Sequence, residues 1–265
     1  MTRWVVSGAA LGLAIVVIAF APAAWLAATV QSATESRVVL ADARGTVWSG
    51  SAVPVLTGGI GSRDAASLPG RMSWTLGLDG AALALRARHA CCINGELRLR
   101  LVPGFGRLRV ELPAVQGPIG QWPAAWLAGL GTPWNTLQPS GSMQLSSSGL
   151  ALDYVQGRWR LDGRAELALN SIASRVSTLD VLGSYRLSVD GGSGGIAGAA
   201  GSDLATLQLG TTSGALLLSG SGQFVASKLR FSGQASAAPG SETVLNNLLN
   251  IIGRRQGALS VITIG

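Results

Sequence analysis

Six arginines, Arg86, Arg88, Arg98, Arg100, Arg107 and Arg109, fall at alternate positions along three successive short runs of the chain. A planar guanidinium binds carboxylate or phosphate through paired N–H donors, so such a row could meet an acidic partner or lipid phosphates. If the runs are hairpin-paired strands, the six share one face, where opposed like charges destabilise. Glu96 and Glu111 offset only part of that repulsion. The competing reading is a solvated outer face, which strands commonly carry. A second group is His89 with the adjacent Cys91 and Cys92. Neighbouring cysteines cannot form a Cys-x-x-Cys redox motif. Three arrangements remain open: a disulfide within an eight-membered ring, pairing between two chains, or two thiols in a turn before Asn94-Gly95. His89 is the sole histidine and reads as a loop or surface residue rather than a ligand or base.

Other chemistry is argued against. No serine lies in a G-x-S-x-G elbow followed by an acid and a histidine, and no GxxxxGK[ST] phosphate loop occurs. Without a nucleophile–base pair a hydrolase has little support. Two cysteines and one histidine leave almost nothing for a zinc site or an iron–sulfur cluster. The expectation is no enzyme, no cofactor and no metal. Of 265 residues, 48% are hydrophobic and 12% charged, which excludes a disordered charged tail. The net charge of +7 is spread along the chain without a basic run, so nucleic acid is not an expected partner.

The elements that must position the arginines are strands. Leu83, Leu85 and Ala87 alternate with Ala84, Arg86 and Arg88, and 96–101 and 107–112 repeat the pattern. Similar runs recur at 74–78, 143–145, 159–161, 165–169, 185–189, 204–209, 215–218, 229–231 and 259–264. Asp79-Gly80, Asn94-Gly95, Asp162-Gly163 and Asp190-Gly191 supply turn chemistry. Residues 121–130 read as a short helix beginning near Pro123. Residues 241–255 read as a helix capped by Ser241, with Arg254 and Arg255 at its negative end. The glycine-rich stretch 191–201 reads as a loop. The fold expected is all-β: a large antiparallel, curved sheet (trough, sandwich or barrel-like) with one or two short helices after a single N-terminal transmembrane helix.

That transmembrane helix is expected over residues 4–30, which carry no charge. Trp4 and Trp25 would lie about 31 Å apart on a helix rising 1.5 Å per residue, close to the roughly 30 Å hydrocarbon core, as two ends of an aromatic belt. A cleaved signal peptide ending near 20–24 is the alternative. Residues 1–3 form a tail, and residues 31–265 one β-rich domain.

Several segments resemble the protein N family of the bacterial type II (general) secretion pathway. They are Ala43-Arg44-Gly45-Thr46-Val47-Trp48-Ser49-Gly50, Pro69-Gly70 leading into Trp74, Leu130-Gly131-Thr132-Pro133-Trp134-Asn135-Thr136-Leu137 with Pro139-Ser140-Gly141, and Leu248-Leu249-Asn250-Ile251-Ile252-Gly253-Arg254-Arg255. The resemblance implies a single-pass inner-membrane protein with residues 1–3 in the cytoplasm and 31–265 in the periplasm. It implies an accessory component of the machine that exports folded proteins across the outer membrane, with no catalytic residue or cofactor. Partners would be the membrane, other secretion subunits and, as a candidate, lipid. In the Thr132-Pro133-Trp134-Asn135 turn, Trp134 would anchor the loop into the apolar face while Asn135 and Thr136 cap backbone nearby. The same turn is a candidate partner contact. The rival function is a membrane-anchored periplasmic carrier or shield for lipid or another apolar ligand.

Overall fold

Alternation of period two can bury only one face per strand, so the chain lays strand beside strand and lets each hairpin turn continue the same two faces. The computed structural model describes residues 2–155, 158–191, 205–225 and 228–265. Among them sixteen strands form one antiparallel sheet: β1 Val38–Gly45, β2 Ser49–Thr57, β3 Ala65–Ser67, β4 Met72–Asp79, β5 Ala82–His89, β6 Leu97–Gly104, β7 Arg107–Leu112, β8 Gly120–Pro123, β9 Pro139–Val155, β10 Arg158–Ser174, β11 Gly183–Asp190, β12 Thr206–Gly214, β13 Leu216–Val225, β14 Lys228–Ala237, β15 Arg254–Gln256 and β16 Leu259–Ile264. Their order is almost that of the sequence, with β3 added to β2 and β8 to β9. The order begins at β1 and ends at β15, which do not pair with each other, so the described strands close no hydrogen-bonded barrel.

Register fixes the faces. Leu83, Leu85 and Ala87 of β5 oppose Leu101, Leu99 and Leu97 of β6, Leu101 opposes Val110 of β7, and Val110 opposes Leu152 of β9. Helices cover this apolar face at its two ends. The helix α2, Ala23–Ala33, packs Ala23 against Leu40, Ala52 and Trp74. Near the C-terminus, Glu242–Ile252 forms a helix whose Leu245, Leu248 and Leu249 are fully buried against Leu182, Tyr185, Leu216 and Ala235. Between the two ends no helix packs across β6 or β7 among the described residues. Leu99, Leu101, Leu108, Val110 and Leu152 are nonetheless half-buried.

The structure corrects several expectations. Residues 4–30 are not one helix: α1 runs Thr2–Ala19, and α2 starts after Pro22, whose ring bars a helical partner bond. Trp25 therefore sits on the sheet-packed α2, exposed, and the two tryptophans do not mark the ends of one rod. The side chain of Trp4 lies outside the described residues. Among the described residues no helix is long and apolar enough to cross a membrane. Asp162-Gly163 is not a turn but lies within β10 at a register shift, where Gly163 (φ 90°) faces the backbone of Gly149 and leaves no room for a Cβ. The stretch expected as a helix over 241–255 stops at Ile252. Arg254 and Arg255 enter β15, and Ser241 makes no side-chain cap bond. The stretch 121–130 divides into β8 and a 3-10 helix over Ala124–Leu130. Apart from Gly191, the stretch 191–201 lies outside the described residues.

Candidate functional site

The six arginines do share the face opposite the leucines. Arg86 lies directly across from Arg98, Arg100 across from Glu111, and Arg109 across from Asp153. They form a ladder rather than a bare row. Glu96 accepts from Arg88 Nη2 at 2.6 Å and Arg98 Nε at 2.7 Å. Arg100 reaches Asp79 at 3.4 Å and Glu111 at 3.8 Å. Asp153, 6% exposed, takes Arg107 at 2.9 Å on one oxygen and Arg109 at 2.8 Å on the other, and Arg109 also binds Glu111 at 2.7 Å. Further along the face Arg186 meets Glu166 at 2.9 Å and Arg164 meets Asp190.

The carboxylates that match the arginines were only half foreseen. Asp79 and Asp153 lie in other strands, and the alternation Leu150-Ala151-Leu152-Asp153 is the signal that could have placed Asp153 on this face. The hydrogen bond from Arg98 holds the Glu96 carboxyl below its ordinary range, with Arg88 adding to it and partial burial opposing. The bond to Glu111 raises the Arg109 guanidinium above its already high value. Among the described residues Arg86 is the one of the six with no carboxylate in ion-pair range. It is exposed and borders a cleft of about 280 Å³ with Arg88, Ser49, Ser73, Thr75 and the Glu96 carboxylate that Arg88 and Arg98 already bind. Hydroxyls beside an unpaired guanidinium offer donors to an anion.

The Thr132–Asn135 turn contains a cis Thr132–Pro133 bond and leads into one helical turn, Trp134–Leu137. Trp134 does not anchor the loop: it is 38% exposed, while Leu137 packs against the C-terminal core. Asn135 does not cap nearby backbone with its amide. Its Nδ2 donates to Asp64 Oδ2 at 3.0 Å, which ties this turn to the loop between β2 and β3. Thr132, Pro133 and Trp134 thus project from a tied-down support.

The segment Ala43–Gly50 is the hairpin that joins the N-terminal helices to the sheet. Trp48 Nε1 donates to Ile18 O at 2.7 Å, and Val47 N donates to Ala21 O at 2.9 Å. The Trp74 ring approaches Gly50 so closely that a Cβ there would collide with it, and Trp74 donates Nε1 to Val47 O at 3.1 Å. One tryptophan grips the helix and the other buttresses the hairpin.

Cys91 and Cys92 are joined as a vicinal disulfide, the first of the three arrangements considered. His89 is not a surface residue. It continues the run Leu83, Leu85, Ala87 on the apolar face and is 4% exposed. Neither ring nitrogen has a hydrogen-bond partner, and burial pushes its pKa below the ordinary histidine value, which keeps the ring neutral near pH 7. The period-two pattern that placed its neighbours inside applied to it as well.

Among its described residues the molecule is an all-β protein: an open antiparallel sheet with helices at both ends, an ionic ladder on one face and half-buried leucines without a helix over them on the other. Residues 36–261 match the family described as type II secretion system (T2SS), protein N, and the chain belongs to that family. No curated protein and no solved structure matches the chain.

Proposed function

We propose that this protein is an accessory, non-enzymatic component of the type II secretion machine, held at the inner membrane through α1, with the sheet in the periplasm working by protein–protein contact. The observation that carries the reading is the uncovered middle of the sheet in a member of a secretion-component family. Among the described residues no helix packs over β6 and β7, so their half-buried leucines keep apolar area that a partner could cover. Anchorage through α1 is supported by the exposure of Leu13, Ile15, Val16, Val17 and Ile18 on a helix whose residues 4–19 carry no charge. The grip of Trp48 on Ile18 would hold the β1–β2 end of the sheet beside the bilayer. The contact surface comprises the Thr132-Pro133-Trp134-Asn135 turn and the ladder of Arg86, Arg88, Arg98, Arg100, Arg107 and Arg109. Since five of the six are already paired, Arg86 offers the open valence to an acidic partner.

One observation favours a second reading, a carrier or shield for lipid: the leucines of β6, β7 and β9 share a face that no helix among the described residues covers between the two helical ends. In-cell photo-crosslinking from Arg98, Leu99, Val110 and Trp134 separates the two. Discrete adducts with secretion subunits from Arg98 and Trp134 are the result expected. Lipid adducts confined to Leu99 and Val110 would replace the scaffold with the carrier. The absence of any adduct from all four positions would contradict both.

A further inference from the structure

The His89–Cys91–Cys92 group plays no part in the ladder, the leucine floor or the Trp134 turn, yet it concentrates the chain's only imidazole and both its cysteines. Their ligand atoms, one ring nitrogen and two Sγ, all lie within 4.8 Å of one another. Two ligands on one tetrahedral zinc ion, at about 2.0–2.3 Å each, stand about 3.3–3.8 Å apart, so the group must close by up to about an ångström while the two sulfurs, once unbonded, move apart. His89 is the independent sign. A buried imidazole without a partner for either nitrogen forgoes hydrogen bonds that water would supply. A cation beside its lone pair would remove half of that deficit.

The frame around the three residues does not depend on the sulfur–sulfur bond. His89 ends β5, Ile93 N donates to His89 O at 3.2 Å, and Gln121 N donates to Cys92 O at 3.0 Å. Asn94 N donates to Ile119 O and its Nδ2 to Pro118 O, both at 2.9 Å, which docks the loop against the approach to β8. Opening the disulfide therefore leaves a held loop with two thiols, one exposed at Cys91 and one buried at Cys92, beside the imidazole.

We propose that the reduced chain binds one thiophilic cation, Zn²⁺ or Cu⁺, through His89, Cys91 and Cys92, and that formation of the vicinal disulfide abolishes the site. Two thiolates and an imidazole form a soft-to-borderline donor set that favours these ions over Mg²⁺ or Ca²⁺. The chemistry balances with a dithiol as reductant. The disulfide takes two electrons and two protons and becomes two thiols, while the dithiol becomes a disulfide. Binding Zn²⁺ then releases the two thiol protons to solvent. The site is a metal-or-disulfide alternative at the junction between the arginine strands and β8.

The test uses the purified full chain in detergent, reduced and then freed of reductant under argon. Zn²⁺ is titrated against a chromogenic chelator, and Co²⁺ serves as a spectroscopic probe. The expected result is one Zn²⁺ per reduced chain, bound at least about 100-fold more tightly than by the oxidised chain, with thiolate-to-cobalt charge-transfer bands in the Co²⁺ form. His89→Gln should weaken binding by about tenfold or more, in the range that loss of a metal-site group costs. Cys91→Ser changes the exposed sulfur alone and should lose half of the charge-transfer intensity in a folded chain. Equal Zn²⁺ affinity for the reduced chain and for the double variant Cys91→Ser/Cys92→Ser would overturn the proposal, and so would a Co²⁺ spectrum without sulfur bands in the unmutated chain.

Discussion

The C-terminal end of the sheet and its middle are built from the same alternating strands yet are stabilised by different means. At the C-terminal end, three leucines of the helix Glu242–Ile252 are excluded from water against β11, β13 and β14. In the middle, β6 and β7 have no helix above them. Their leucines are half-buried, and the opposite face is knit by Arg–carboxylate pairs centred on Glu96, Glu111 and Asp153. Apolar burial gives the larger stabilisation per residue and commits the surface permanently. Exposed ion pairs contribute little each and leave both faces accessible. A surface that must meet partners is one that the fold cannot afford to cover.

That contrast sets an order of expected effects. Leu248→Ala should destabilise most, by about 2–5 kcal/mol in denaturant melts of the full chain in detergent, because the site is closed on all sides. Asp153→Ala should cost about 1–3 kcal/mol, since it strands Arg107 and Arg109 beside a buried position. A loss equal to that of Leu248→Ala would mean that the ladder, not the helix, carries the fold. Acid should act on the middle first. Glu96 has its pKa lowered by Arg98, so its contribution is complete above the ordinary carboxylate range and fades as pH falls through the lowered folded value. Glu96→Gln should therefore remove part of the acid sensitivity seen in melts across that range. His89 adds a term of the same sign. Its lowered pKa means that the unfolded chain gains a proton first, so stability declines as pH drops below about 6.5. Leu99→Ala should be the mildest, within about 1 kcal/mol, because a half-exposed side chain loses less burial.

Much of this was legible from residue order. Clean alternation gave the strands around the arginines, their shared face and the turn at Gly80, because a strand with one polar and one apolar side announces its period. The strands β1 and β2 were not read, since Ala, Gly, Ser and Pro along Val38–Thr57 blur the alternation. Asp162-Gly163 looked like a hairpin because the same positive φ serves a turn or a bulge, and only the neighbouring Gly149 decides. The apolar stretch 4–30 has one composition throughout. Pro22 was the visible signal for its division, but the seat of the second helix on Leu40, Ala52 and Trp74 lies far ahead in the chain. The same dependence hid Asp153 from the arginines and Asp64 from Asn135.

The central claim is that the uncovered middle is the working surface. It is tested most directly by amide hydrogen exchange on the chain alone and in membranes containing the other secretion subunits. The account predicts that β6, β7 and the Trp134 turn become protected in the assembly while the helix Glu242–Ile252 exchanges as slowly in one state as in the other. Protection confined to the surface of that helix, with β6 and β7 unchanged, would contradict it.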